Sequence, residues 1–217
     1  RGTTHAALEL SSHALDQERA AGVELKVAVL TNLTQDHFDY HGDLASYAAA
    51  KSQIVDLCAP TGEIVFNADD PQIHRMVNSL DSGRVAGRRC VSFGIDSDAD
   101  FTARIVDESV SGTRFCLQRP GTGGTAVEMT TGLVGRHNVM NCLAAASVAF
   151  GQGVSESAIA SGIGALTWVP GRLESVHCGQ PFDVFVDFAH TEEALRRCLA
   201  ALRRVVPGRV ICVFGAG

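Results

Sequence analysis

Short apolar runs alternate with stretches of helical periodicity along this chain. Thr4 to Leu10 and Val27 to Leu30 read as buried strands, each running into a polar turn. Asp43 to Leu57 predicts a helix, with Asp43 suited to cap its start and Ala48-Ala49-Ala50 in its middle. Glu63 to Asn67 predicts another strand. Asp70-Pro71 opens a further helix, with proline at the first position, where its missing N–H costs nothing. Strand, polar loop, helix and strand in that order is the rhythm of a mainly parallel α/β sheet.

The middle of the chain changes character. Arg89 to Phe93, Phe101 to Val106, Thr113 to Leu117 and Ala126 to Thr130 are short β-like runs divided by Gly, Ser and Asp, which predicts small antiparallel hairpins. Helical periodicity returns over His137 to Phe150 and Glu156 to Leu166. The turn Trp168-Val169-Pro170-Gly171-Arg172 is the candidate domain boundary, giving domains of 1–168 and 169–217. Beyond it Phe182 to Asp187, Glu193 to Val205 and Val210 to Phe214 predict a βαβ unit. The chain begins almost on a strand and stops on Phe214-Gly215-Ala216-Gly217, a strand running into a glycine turn, so a piece of a longer enzyme is expected.

Composition narrows the class. The chain has 217 residues, 46% hydrophobic and 19% charged, which excludes intrinsic disorder. No apolar run approaches the ~20 residues that cross a bilayer, and the N-terminus has no secretory pattern, so no membrane partner is expected. A net charge of -6 argues against a nucleic-acid partner. The seven cysteines are odd in number, widely spaced and free of Cys-x-x-Cys, which predicts reduced thiols acting as small core residues in a cytoplasmic protein. Among 18 basic residues only Lys26 and Lys51 are lysines.

Several chemistries are tested by spacing and set aside. His37 and His41 stand four apart, but Phe38 occupies the place where the zincin pattern has Glu. Asp96, Asp98 and Asp100 alternate as in a calcium loop, but Phe101 replaces the glycine that loop needs, leaving a solvated turn. Ser11-Ser12-His13 lacks the glycines of a nucleophile elbow. Gly121-Thr122-Gly123-Gly124 has no Lys-Ser/Thr ending and reads as a hairpin turn.

What remains gathers at the carboxyl ends of the expected parallel strands, where open α/β sheets bind ligands. Glu9 closes the first strand, Asp36-His37 follows the second, and Lys51 lies one turn into the next helix. A carboxylate, an imidazole and a lysine converging there suit a divalent-metal phosphate site. The competing reading pairs Glu9 with an arginine, makes His37 a turn cap and leaves Lys51 solvated.

Taken together the motifs resemble one family. Leu8-Glu9-Leu10-Ser11-Ser12-His13-Ala14-Leu15, Thr31-Asn32-Leu33-Thr34-Gln35-Asp36-His37-Phe38-Asp39-Tyr40-His41-Gly42 and Tyr47-Ala48-Ala49-Ala50-Lys51 come first. Asn67-Ala68-Asp69-Asp70, Gly135-Arg136-His137-Asn138-Val139-Met140-Asn141, Pro170-Gly171-Arg172-Leu173-Glu174 and Val186-Asp187-Phe188-Ala189-His190-Thr191 follow in order. The chain resembles the Mur ligases, in particular the branch that adds the third residue to UDP-N-acetylmuramoyl-L-alanyl-D-glutamate. The resemblance implies the family's central ATPase domain without its P-loop, followed by the start of a Rossmann-like C-terminal domain. It also implies that the isolated piece does not catalyse the reaction.

The implied reaction belongs to peptidoglycan precursor synthesis. The substrate's D-glutamate carboxylate attacks the ATP γ-phosphate, and the amine of a diamino acid displaces phosphate from the acyl phosphate. Two anions must meet, so fixed donors and magnesium answer the charge repulsion. By resemblance, Glu9 and His37 bind magnesium. Lys51 matches the carbamylated lysine, whose captured carbon dioxide turns a metal-repelling cation into an anionic oxygen donor. An unmodified Lys51 contacting phosphate is the alternative.

Ser11, Gln17 and Arg19 match positions that hold the UDP-sugar-peptide. His137, Asn138 and Asn141 match the nucleotide-binding helix start, with Asn141 as the adenine contact and Asn138 open to a capping role. Arg172 is implied to reach ATP phosphate and Asp187 the ribose hydroxyls; His190 either lines the nucleotide or packs. Departures are Gln35, Phe188, Glu192 and Ala216, of which Phe188 loses a tyrosine hydroxyl common in the family. A folylpolyglutamate or cyanophycin synthetase and a non-catalytic binding paralogue are the other readings. Ser11-Ser12-His13 and Asp39-Tyr40-His41-Gly42 speak against the first, and Glu9, His37 and Lys51 against the second. Oligomeric state and the identity of the amino acid are not readable.

Overall fold

The computed structural model describes residues 2–33, 38–121 and 125–215, arranged as two compact units, 1–99 and 100–217. The first unit is built on a parallel sheet of three strands: β1 (Leu25–Leu30), β2 (Cys58–Asn67) and β3 (Arg89–Gly94). β2 lies in the middle, paired with β1 from Val27↔Glu63 to Leu30↔Phe66 and with β3 from Glu63↔Arg89 to Asn67↔Phe93. Its central position explains the unbroken buried stretch from Gly62 to Phe66, since a strand covered on both faces has no polar side to alternate with.

Short helices complete this unit: α1 (Ser12–Asp16), α2 (Phe38–His41), α3 (Leu44–Ser52), α4 (Pro71–Ser79) and α5 (Ser82–Val85). Asp43 caps α3 by accepting the Ser46 N–H at 2.7 Å, as its place in the sequence predicts. The helix is shorter than predicted and gives way to a 3-10 turn at Gln53–Val55. Leu30, Leu33, Tyr47, Val55, Ile64, Phe66, Ile73, Met76 and Val77 form one buried cluster joining sheet to helices.

Two expectations fail in this unit. Thr4 to Leu10 forms no strand; the segment is irregular and largely exposed, because a strand needs a neighbour to complete its ladder and none pairs with it among the described residues. Arg89 to Phe93 is a strand but not part of a hairpin. The α4–α5 crossover returns the chain to the same end of the sheet, so β3 runs parallel to β2.

The second unit carries an antiparallel meander of β4 (Phe101–Ser109), β5 (Gly112–Gln118) and β6 (Val127–Thr131), with Ala103↔Leu117 and Phe115↔Met129 in register. Gly112, at φ +137°, closes the β4–β5 turn where a side chain would collide with the Thr131 carbonyl. α6 (Arg136–Gly151) buries Val139, Leu143 and Ala146, and α7 (Glu156–Ala165) follows under a Ser155 cap.

The two-residue strands β7 (Glu174–Ser175) and β8 (Phe185–Val186) pair antiparallel, and α8 (Glu192–Val205) starts at a Thr191 cap. Phe182 to Asp187 is thus only partly strand, and Val210 to Phe214 is irregular, again without a pairing neighbour among the described residues. Val134, Leu173, Ala201 and Leu202 form the buried cluster at this end. No helix among the described residues is long and apolar enough to cross a membrane. All seven cysteines are free, but only Cys58 and Cys142 are buried; Cys90, Cys178 and Cys212 are exposed, contrary to a general core role.

Candidate functional site

Parallel pairing brings the ends of β1 and β2 side by side, and three side chains converge there on the main chain that leaves β1. Asn67, the last residue of β2, donates through Nδ2 to the Thr31 carbonyl at 2.8 Å. Lys51 Nζ donates to the Asn32 carbonyl at 2.6 Å. Asp70 Oδ2 accepts the Leu33 N–H at 2.8 Å, while its Oδ1 caps α4 by accepting the N–H groups of Gln72 and Ile73. Lys51 therefore reaches the strand end that the sequence pointed to. It does so from the last turn of α3, not from one turn into it.

The rest of the expected trio does not join it among the described residues. His37, like Asp36 and Gln35, lies outside the described residues. Glu9 is exposed in the irregular leading segment and so does not close a strand. Among the described residues no group of three His, Cys, Asp or Glu gathers to hold a metal. Lys51 is itself the cation at this place, with its Nζ 5.3 Å from the centre of the Tyr47 ring.

Beside it Asp69 turns its carboxylate to the N–H groups of Ile95 (2.8 Å), Asp96 (3.1 Å) and Ser97 (2.8 Å). Burial alone would raise its pKa, but these donors outweigh that effect and hold it below the usual carboxylate value. The Asp96 end of the alternating acidic segment is tied to Asp69 through its main-chain N–H groups.

The substrate-holding candidates sit on α1 and next to α2. Ser11 is the cap of α1, accepting the Ala14 N–H at 3.1 Å. Gln17 donates to the Tyr40 hydroxyl at 3.2 Å, and that hydroxyl donates to Asp16 at 2.8 Å. Arg19 is exposed. Around them the rings of His13, Tyr40, His41 and Tyr47 form a contiguous set, with His13 and Tyr40 centred 4.0 Å apart.

In the second unit the nucleotide candidates fall into two kinds. Asn138 is buried and donates to the Val134 carbonyl at 2.9 Å, and Asn141 donates to Asn138 Oδ1 at 3.2 Å. Asn138 is thus committed to holding the chain that enters α6. His137, by contrast, is exposed as a residue at that helix start while its ring packs against Gly135: a β-carbon there would come within 3.0 Å of the His137 ring and 3.1 Å of Ala201. Desolvation lowers the His137 pKa, opposed by the negative charge of Asp187 and aided by Arg197 and Arg172. His137, Arg172 and Asp187 therefore share one electrostatic neighbourhood.

Asp187 accepts the Leu173 N–H at 2.8 Å and the Ala189 N–H at 2.8 Å, so it ties the Arg172 turn to the end of β8. Nearby, burial and then the negative charge of Asp187 push the Cys198 thiol up to about 11, leaving it protonated. His190 is exposed, its Nδ1 3.0 Å from the Phe188 carbonyl and its ring 5.1 Å from that of Phe188. A cleft of about 250 Å³ in the same unit is lined by Trp168, Arg172, Glu174, Ser175, His177 and Phe185 among others. Of the predicted nucleotide residues only Arg172 lines it.

Sequence reasoning assigns no site role to Asn67 or Tyr47 and gives Asp70 only the opening of a helix, although all three lie inside quoted motifs. The available signal was spacing: Tyr47 stands four before Lys51 on one helix, and Asp70 directly precedes a helix-opening proline.

Comparison with known proteins accounts for these motifs. The Mur ligase middle domain matches residues 1–149, and the Mur ligase glutamate ligase domain matches residues 171–217. The UDP-N-acetylmuramoyl-L-alanyl-D-glutamate–2,6-diaminopimelate ligase of Solibacter usitatus is 40% identical over all of this chain and 42% of its own length. The ligase of the same name from Thermosynechococcus vestitus is 38% identical, again over all of this chain and 42% of its own. A solved structure of a ligase of that name superposes with a TM-score of 0.78 at 31% identity, covering 94% of this chain and 41% of that one. A MurF ligase from Thermotoga maritima in complex with ADP shares the fold, with a TM-score of 0.71 at 18% identity over 90% of this chain and 42% of that one. The chain belongs to the Mur ligase family, and it spans less than half the length of the relatives it matches.

Proposed function

We propose that this chain is the core of an ATP-dependent amide ligase that adds a diamino acid to UDP-N-acetylmuramoyl-L-alanyl-D-glutamate in peptidoglycan precursor synthesis, in the cytoplasm. The observation that carries the reading is the fixed exit of β1, where Lys51, Asn67 and Asp70 hold the main chain that leads into Asp36-His37. The relatives' names favour 2,6-diaminopimelate over lysine as the added residue. The boundary at residues 168 and 169 falls in the gap between the two family matches, which supports a central domain over 1–168 and the start of a C-terminal domain after it.

The roles follow from chemistry and place. The substrate carboxylate must approach an ATP γ-phosphate, so anion repulsion and alignment dominate the barrier. Arg172 offers a planar fork for phosphate, while Asp187 orders the Arg172 turn through Leu173 and accepts ribose hydroxyls with what remains of its lone pairs. His137, whose pKa is lowered by desolvation, offers a flat ring beside the base, and Asn141 an amide edge. His190 closes that side. Ser11, Gln17 and Arg19 hold the UDP-sugar-peptide, with Arg19 free to swing towards phosphate or carboxylate.

Magnesium fits the donors only in one form of Lys51. As an ammonium group donating to Asn32 it is a cation and repels the metal; as a carbamate it adds anionic oxygen to the Glu9 carboxylate and the His37 imidazole. Bound there, magnesium would screen the charge that builds on the transferring phosphoryl group.

The test uses the full-length ligase and a dipeptide precursor carrying oxygen-18 in the D-glutamate γ-carboxylate. One labelled oxygen should appear in the released phosphate for each amide formed. Unlabelled phosphate with amide formation would exclude the acyl phosphate.

A further inference from the structure

We propose that Tyr47 is a positioning residue for Lys51, and that His41 and Ser12 hold the Tyr47 ring in turn. The inference rests on the reading above, in which Lys51 serves the reacting phosphate. A lysine stem has four rotatable carbons, so its Nζ sweeps a wide volume unless something fixes it. On α3, Tyr47 and Lys51 are four residues apart and share one helix face, and a helical side chain lies back over the preceding turn. That geometry lays the Lys51 stem across the Tyr47 ring, with Nζ 5.3 Å from the ring centre and its hydrogen bond aimed at Asn32.

The ring is not free to turn away. Tyr47 is 4% exposed and belongs to the buried cluster with Leu30 and Leu33. The His41 ring stacks on it, 5.2 Å between centres and 27° between planes. His41 Nε2 lies 2.9 Å from the hydroxyl of Ser12, which is 3% exposed on α1. One residue from each of α1, α2 and α3 thus forms a line ending at Lys51. The elements α1 and α2, of 5 and 4 residues, are too short to be stable alone, so these links act with the Gln17–Tyr40–Asp16 bonds to hold them in place.

The test compares Tyr47→Phe, which keeps the π face, with Tyr47→Leu, which keeps apolar bulk without it, in the full-length ligase. In metal-free protein, reductive methylation with formaldehyde and cyanoborohydride is followed by mass spectrometry of the Lys51 peptide, with exposed Lys26 as internal reference. Lys51 should label about fivefold faster in Tyr47→Leu and within about twofold of wild type in Tyr47→Phe. In turnover, Tyr47→Leu should lower kcat about tenfold with both substrate KM values within about twofold, and Tyr47→Phe should restore it. Wild-type labelling and kcat in Tyr47→Leu would overturn the proposal, as would equal impairment by Phe and Leu. Should Tyr47→Leu fail to fold, Tyr47→Met makes the same comparison with a flexible apolar chain. A wild-type enzyme without ligase turnover would sink the functional reading and leave the labelling contrast to decide this one.

Discussion

Asp70 and Leu33 are joined across the carboxyl end of the sheet: Asp70 Oδ2 accepts the Leu33 N–H at 2.8 Å while Oδ1 serves the first turn of α4. One side chain thus ties the start of a helix to the loop leaving β1. Asp70→Ala removes both bonds and should cost about 1–3 kcal/mol, a cap plus a part-buried N–H left unpaired. Chemical denaturation measures it. A loss no larger than that of an exposed cap such as Asp81→Ala would show that the Leu33 bond adds nothing.

Two carboxylates of the first unit should give opposite pH slopes. Glu63 is 6% exposed, its Oε1 has no hydrogen bond and sits 3.6 Å from Arg89, and burial raises its pKa more than Arg89 lowers it. A raised folded pKa means that the native state holds the proton more tightly. The contribution of Glu63 is present below its unfolded value of 4.5 and is lost as pH rises through the folded value. Glu63→Gln should therefore raise the thermal midpoint at pH 7 and change it little near pH 4. Asp69, held low by main-chain donors, is the reverse: its contribution is present above 3.8 and lost as pH falls through its folded value. Asp69→Asn should flatten the acid limb. Parallel pH curves for wild type and both variants would contradict these assignments.

Removing the Lys51 side chain tests the site. Lys51→Ala in the full-length ligase should abolish most turnover, about a hundredfold or more, with partial recovery on adding small carboxylates that stand in for a carbamate. Near-normal turnover would rule out the carbamate role. A loss that small amines restore and carboxylates do not would favour an unmodified amine on phosphate.

For nucleotide binding, Asp187→Asn keeps one acceptor for Leu173 or Ala189 and loses the charge. It should raise the KM for ATP about tenfold and leave the precursor KM nearly unchanged. Steady-state kinetics with each substrate varied in turn reads this directly. Equal rises in both would place Asp187 in general folding of the Arg172 turn.

The sequence reading succeeded where local chemistry decides the outcome. Asp43 caps α3 where a cap is expected, and Asp70-Pro71 opens α4 as expected; α7 and α8 start within a residue of the expected Glu156 and Glu193, under Ser155 and Thr191 caps that the sequence reading did not name. It failed where pairing decides. Val210 to Phe214 is wholly apolar and Thr4 to Leu10 carries four apolar residues, yet hydrophobicity gives no ladder without a neighbour. Direction was equally hidden in Arg89 to Phe93, since a five-residue run carries no sign of running parallel; the α4–α5 crossover carries it. At the site, Lys51 was legible by motif and place. The Tyr47–His41–Ser12 line was not, because its members come from three separate elements and meet only in the fold. Asn138 was legible as a motif residue; its buried side chain donates to the Val134 carbonyl ahead of α6, while the helix start at Gly135 has no side-chain cap.

The central claim is that the β1 exit serves ATP-driven amide formation on a dipeptide-bearing nucleotide sugar. The direct measurement is ADP release by the full-length ligase supplied with ATP, magnesium, 2,6-diaminopimelate and, in turn, UDP-N-acetylmuramoyl precursors bearing L-Ala, L-Ala-D-Glu or the tripeptide. The account predicts ADP in step with a new tripeptide product for the L-Ala-D-Glu precursor alone. ADP release indifferent to the precursor, or product from the L-Ala precursor, would contradict it.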